Sequence, residues 1–143
     1  MNTRQAERII LGVVLEDKEA LSEVKNSLCA DDFREPNIRR VILTLFNMEI
    51  KDTARISNIL CQFEDEPTRD LISEVLLEVD KLSDKRKNLF DCIRWIKQDN
   101  LKKTLKEIQQ KIKLAQEIKN ESLMFELVSK YNNLVKRQRQ ELL

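Results

Sequence analysis

Hydrophobic positions recur every three or four residues along most of the chain, the period of helices that bury one face. Ala6, Ile9, Ile10, Val13 and Val14 form the first such stripe, with Thr3 as its candidate cap. Glu16-Asp17 closes that helix and can cap a short second one carrying Ala20, Leu21, Val24 and Leu28. Asp31-Asp32-Phe33 reads as a connector. Pro36 suits the first turn of a third helix, whose stripe is Ile38, Val41, Ile42, Leu45 and Phe46. Asp52-Thr53 opens a fourth, with Ile56, Ile59, Leu60 and Phe63 inward. Pro67, preceded by the acids Glu64-Asp65-Glu66, opens a fifth with Leu71, Ile72, Val75, Leu76 and Val79.

Ser83 then caps a different kind of element. From residue 84 to about 118 there is no Gly, Pro or turn cluster, which predicts one helix of about 50 Å at 1.5 Å per residue. Its first half carries Leu89, Cys92, Ile93 and Ile96, a stripe fit to pack on a bundle. Its second half shifts to Leu101, Leu105, Ile108, Ile112 and Ala115, a heptad rhythm. Lys119-Asn120-Glu121-Ser122 is the predicted turn, with Ser122 capping a last helix that offers Met124, Leu127, Tyr131, Leu134 and Gln138. One antiparallel register pairs Ala115 with Met124, Ile112 with Leu127, Ile108 with Tyr131, Leu105 with Leu134 and Leu101 with Gln138. The expected fold is therefore all-α: a helical bundle over residues 1–98, then a projecting antiparallel hairpin over 99–143, with the long helix shared between them.

Composition supports this picture and narrows the chemistry. One Gly and two Pro among 143 residues leave little for β-turns or phosphate-cradling loops, and 41% apolar content at helical spacing argues against disorder. The apolar run from Ile9 to Leu15 is too short to span a bilayer and lacks a cleavage site, so no membrane anchor or signal peptide is expected. Cys29, Cys61 and Cys92 are widely spaced and odd in number, which reads as three reduced thiols packed in or near a core, as in a cytoplasmic protein. There is no His, so acid–base work would fall to carboxylates, Cys or Lys. Both acidic clusters, Asp31-Asp32 and Glu64-Asp65-Glu66, stand before helices, where capping accounts for them. No phosphate-binding loop, dinucleotide fingerprint or metal triad occurs. A catalytic site, a metal and a cofactor are all expected to be absent.

Charge is unevenly spread. Residues 1–80 hold 10 Lys/Arg against 17 Asp/Glu, and residues 81–143 hold 16 against 8, which suggests two parts with different partners. The last helix has more apolar surface than one partner helix covers, and the surplus predicts a docking surface for a protein. Its candidate residues are Leu114, Ile118, Leu123, Phe125, Val128, Val135 and Leu142, with Lys136, Arg137 and Arg139 as a charged rim. Local closure of the hairpin tip by Leu114, Ile118, Leu123 and Phe125 is the competing account. Lys102, Lys103, Lys106, Lys111 and Lys113 make the arm basic, but they alternate with the seam as a solvated face. Trp95 and Tyr131 offer no stacking platform, the bundle's negative charge would repel phosphate, and direct nucleic-acid binding is expected to be weak or absent.

The segment Ala6-Glu7-Arg8-Ile9-Ile10-Leu11-Gly12-Val13-Val14-Leu15-Glu16-Asp17, with Asp32-Phe33 and Arg39-Arg40 downstream, resembles a helical bundle of two replication proteins. One is the N-terminal domain of the bacterial replicative helicase (DnaB type). The other is the C-terminal, helicase-binding domain of bacterial primase (DnaG type). Asp91-Cys92-Ile93, the stretch Leu101 to Ile108 and the ending Leu134 to Leu143 look like primase. That resemblance implies a non-catalytic fragment of an enzyme that makes RNA primers. Its hairpin would dock on the N-terminal collar of the hexameric helicase, recruit primase to the fork and modulate the helicase. The alternatives left open are the helicase N-terminal domain itself, an unrelated helical adaptor, and a basic nucleic-acid-binding module.

Overall fold

Each helix begins where a polar side chain, Asn, Asp or Glu, accepts one of the first free backbone N–H groups. The computed structural model describes residues 1–48, 59 and 62–141, and among these residues there are six α-helices and no strand. They are α1 (Thr3–Glu16), α2 (Lys18–Ser27), α3 (Pro36–Asn47), α4 (Glu66–Asp80), α5 (Lys85–Glu117) and α6 (Glu121–Glu141), with one short 3-10 turn at Ala30–Asp32.

Three expected caps move by a residue or two. Asn2, not Thr3, caps α1 and forms a reciprocal capping box with Gln5. Asp84, not Ser83, accepts the Lys87 N–H at 3.1 Å, so α5 spans 85–117 rather than 84–118. Asn120 replaces Ser122 at the start of α6, accepting the Leu123 N–H at 3.1 Å. Asp17 and Asp65 cap α2 and α4 as expected, while Asp32 accepts the Cys29 N–H at 2.8 Å and closes the 3-10 turn. The fourth predicted helix, with Asp52, Thr53, Ile56 and Leu60, lies outside the described residues, as does Cys61. Ile59 and Phe63 are buried.

By backbone contacts the chain divides into two units, residues 1–97 and 98–143, with the boundary inside α5. In the first unit the predicted stripes converge on one core. Ile10, Leu11, Val14, Leu15, Ile38, Ile42, Ile72, Val75, Leu89 and Ile96 are essentially inaccessible to solvent. Phe33, expected only in a connector, is fully buried there too.

Helix α1 is central, packing on α2, α3 and α4. Gly12 sets how closely α1 meets α4: a Cβ at that position would lie 2.5 Å from a Val79 methyl and 2.8 Å from the Val75 carbonyl oxygen. A turn earlier, Arg8 donates to both Glu78 oxygens at 3.1 and 2.7 Å and to Glu74 at 3.1 Å. This pairing holds Glu78 below the usual carboxylate range and raises Arg8.

Among the described residues of this unit, Glu7 is the buried charged side chain. Its carboxylate accepts the backbone N–H groups of Arg34 and Glu35, tying α1 to the entry of α3. Burial pushes its pKa above the usual 4.5 despite those two donors.

The charge asymmetry of the sequence partly dissolves inside this unit. Residues 81–97 belong to it, so it holds 16 Lys/Arg against 19 Asp/Glu, and the second unit holds 10 against 6. Lys85 pairs with Glu16 at 2.7 Å, and Arg86 reaches Glu23 at 2.6 Å, Glu19 at 2.9 Å and Asp17 at 3.5 Å. Two of the cations counted in the second half therefore neutralise acids of α1, α2 and the cap between them.

Candidate functional site

The second unit is a helical hairpin whose turn is tighter than the sequence suggested. Lys119 adopts the left-handed conformation at φ 57°, a position usually held by Gly. Asn120 N–H reaches back to the Ala115 carbonyl at 3.0 Å and Lys119 N–H to Gln116 at 3.1 Å, which together form a Schellman motif. Asn120 then caps α6 without a gap, so two residues serve as stop and start.

Ile108, Ala115 and Leu127 are buried along the seam, with Ile112, Met124, Tyr131 and Leu134 packed against them. Gln109 donates to the Tyr131 hydroxyl at 3.0 Å, beside the expected Ile108–Tyr131 pair. Leu101, Leu105 and Gln138 are only half-buried.

The candidate docking residues are held outside this seam. Phe125 is 77% exposed, Ile118 69%, Leu114 59%, Val128 41% and Leu123 36%. Val135 is half-buried, while Lys136, Arg137 and Arg139 are exposed. Leu142 lies outside the described residues.

Helical geometry does not put these residues on one patch. At 3.6 residues per turn, Phe125, Val128, Val135 and Arg139 follow one line along α6 on one side of the seam. Leu123 and Arg137 fall on the other side of α6. In an antiparallel pair of right-handed helices, that is also the side to which Leu114 and Ile118 turn. The proposed patch is thus two: a tip cluster of Leu114, Ile118 and Leu123, and a longer strip of Phe125, Val128 and Val135.

Along α6 charge changes sign. Glu121 and Glu126 occupy its N-terminal half, and Lys136, Arg137 and Arg139 its C-terminal end.

Two groups that could perform chemistry, Cys92 and Asp65, are occupied structurally, whereas Cys29, expected in or near a core, is exposed because it lies in the turn between α2 and α3. Cys92 is buried beside Leu89 and Ile96 in the core, and burial, aided by Asp91, raises its thiol to about 11. Asp65 is held low by the Thr68 hydroxyl and by Arg40, which pairs with it at 2.6 Å and stacks over Phe63 at 5.5 Å. Among the described residues no group of three or more Cys, Asp and Glu is placed to hold a metal ion. No helix there is long and apolar enough to cross a membrane. Sequence reasoning missed Glu7, which follows Ala6 and precedes Arg8 in an ordinary helical run. Nothing local marks it for burial, because its hydrogen-bond donors lie on another element.

Residues 1–98 match the model of the family described as the DnaB-like helicase N terminal domain. No curated protein and no solved structure matches the chain. The match overturns the expectation of a primase C-terminal domain, and with it the assigned role of bringing primase to a helicase. The reason is visible in the structure. Cys92 and Ile93, taken as a primase feature, are core positions of α5, while Leu101, Leu105 and Ile108 line the seam. Any bundle that runs on into a hairpin requires apolar residues there, so the pattern could not discriminate between two families that share it.

Proposed function

We propose a function from one premise: the chain belongs to the DnaB-like helicase N-terminal domain family, which ties it to the replicative helicase machinery of DNA replication. In this reading it is a non-catalytic assembly module, needing no cofactor, that joins helicase-type chains to one another. The first unit is the rigid base, and the α6 strip is the joining surface.

The observation that carries this reading is the exposed line of Phe125, Val128 and Val135. A phenylalanine 77% open to water, in a helix whose other apolar face is already used, is surface left for a partner. The partner that fits is a second copy. Two α6 helices laid antiparallel with Phe125 opposite the other copy's Val135 place one copy's Glu121 opposite the other's Arg139, and bring two identical apolar strips together. A two-fold contact of this kind is self-complementary by symmetry.

Absence of catalysis is supported by the lack of His, by the buried Cys92 thiol and by the commitment of Asp17, Asp65 and Glu78 to caps and ion pairs. Sedimentation equilibrium of the full chain tests the proposal. The wild type should dimerise, and Phe125→Asp should weaken dimerisation at least tenfold, about 1.4 kcal/mol, while leaving the fold unchanged. A wild type that stays monomeric, or a Phe125→Asp variant that dimerises as the wild type does, contradicts it.

A further inference from the structure

The outer face of α5 within the first unit differs in kind from the α6 strip. Lys87, Phe90, Arg94 and Lys97 lie at intervals of three and four residues, so they share one line on the side of the helix opposite its buried stripe Leu89, Cys92, Ile93 and Ile96. All four are exposed, Phe90 by 52%. None of the three cations makes an ion pair with another described residue. Lys85 and Arg86, one turn earlier, are by contrast fully engaged with acids of α1 and α2. Asp91 is the only acid between residues 87 and 97.

A protein-docking face would carry several apolar anchors, as α6 does. This one carries a single aromatic ring set among unpaired positive charges. A ring offers a stacking platform to any base, and cations about 15 Å apart from first to last along the helix follow a phosphate backbone. The sum of charges over the first unit conceals this arrangement, because all of its acids but Asp91 lie outside α5.

We infer that the Lys87, Phe90, Arg94 and Lys97 face of α5 binds single-stranded nucleic acid without sequence preference, Phe90 stacking on a base and the three cations holding phosphates. The choice of nucleic acid over an acidic protein rests on the replication setting that the family supplies. It reverses the expectation that direct binding is weak or absent, which weighed Trp95, Tyr131, the basic residues of the hairpin and the negative charge of the bundle.

Fluorescence anisotropy of the full chain with a labelled oligothymidylate of about 15 nucleotides tests this. Three phosphate contacts predict a log–log salt slope near −2 for a single strand, falling to about −0.7 in Lys87→Gln/Arg94→Gln. Phe90→Ala should lower affinity about fivefold or more, and a duplex of equal length should bind more weakly than the single strand. All of these positions are exposed, and circular dichroism melting confirms that the variants fold. No binding at about 50 mM salt overturns the inference, as do unchanged affinity in Phe90→Ala and displacement by polyglutamate at equal charge, which would assign the face to an acidic protein. Loss of binding on neutralising Lys102, Lys103 and Lys106 instead would move the site to the hairpin. The Phe125→Asp variant separates the two proposals: it should bind oligonucleotide like the wild type. A chain that is monomeric yet binds through Phe90 refutes assembly and leaves this inference standing.

Discussion

The first unit and the hairpin are both made of amphipathic helices, and α5 contributes to each, yet they bury very different amounts of apolar surface. In the first unit every described helix supplies fully buried side chains to one core, and even the connector contributes Phe33. In the hairpin only Ile108, Ala115 and Leu127 reach burial, and the remaining seam residues stay half open. A core fed from several directions closes on itself, whereas two helices can cover only the faces they turn to each other. The hairpin's excess apolar residues are therefore a consequence of its geometry, and they make it the unit that gains most from a second chain.

The same substitution placed in each unit is the strongest way to break this contrast. Leu11→Ala, at a site with no solvent exposure, should cost about 2–5 kcal/mol in urea unfolding followed by Trp95 fluorescence, which reports on the first unit. Leu105→Ala, at a half-buried seam site, should cost about 1 kcal/mol or less and leave the Trp95 transition in place. Equal costs would mean that the hairpin has a core of its own. Gly12→Ala comes next at about 1–3 kcal/mol, because its methyl would have to displace the Val75 carbonyl and not merely a side-chain tip.

The turn offers a change of opposite sign. Lys119→Gly should stabilise the hairpin by about 0.5–1 kcal/mol by relieving the left-handed backbone, seen as a rise in helicity at the hairpin's melting step. No gain there would show that this residue carries no strain.

Glu7 supplies a pH test confined to the first unit. Its folded pKa is raised by burial, so between 4.5 and that raised value the folded chain holds more protons than the unfolded one. The Glu7 contribution is therefore most favourable below 4.5 and declines as pH rises through the window. Stability curves of the wild type and Glu7→Gln should diverge in that sense, with the wild type losing ground as pH increases. A wild type that gains ground instead would mean that the Arg34 and Glu35 donors outweigh burial.

How much of this was legible in the sequence depended on whether the cause was local. Caps and stripes are local, so α2, α3 and α4 begin at or beside the expected residues and Leu89, Cys92 and Ile96 face the core. The Lys119 stop was not legible, since the left-handed position is normally marked by Gly, and here the Schellman hydrogen bonds impose it on a lysine. Glu7 was invisible because its partners are distant. Of the candidate surface, the exposure of Phe125 and Val128 follows from their distance off the seam, but the split into tip and strip needs both helices in hand. The choice between families failed because apolar spacing records a fold that both share.

The central claim is that α6 meets a second α6 antiparallel, and a pair of cysteines tests it directly. Setting Phe125 against the second copy's Val135 also sets Val128 against the second copy's Asn132. In a Cys29→Ser/Cys61→Ser background, Val128→Cys/Asn132→Cys should form a covalent dimer under mild oxidation on a non-reducing gel, and the same change combined with Phe125→Asp should not. A Val128→Cys/Asn132→Cys chain that stays monomeric under oxidation would contradict the pairing, as would one that cross-links equally well in the presence of Phe125→Asp.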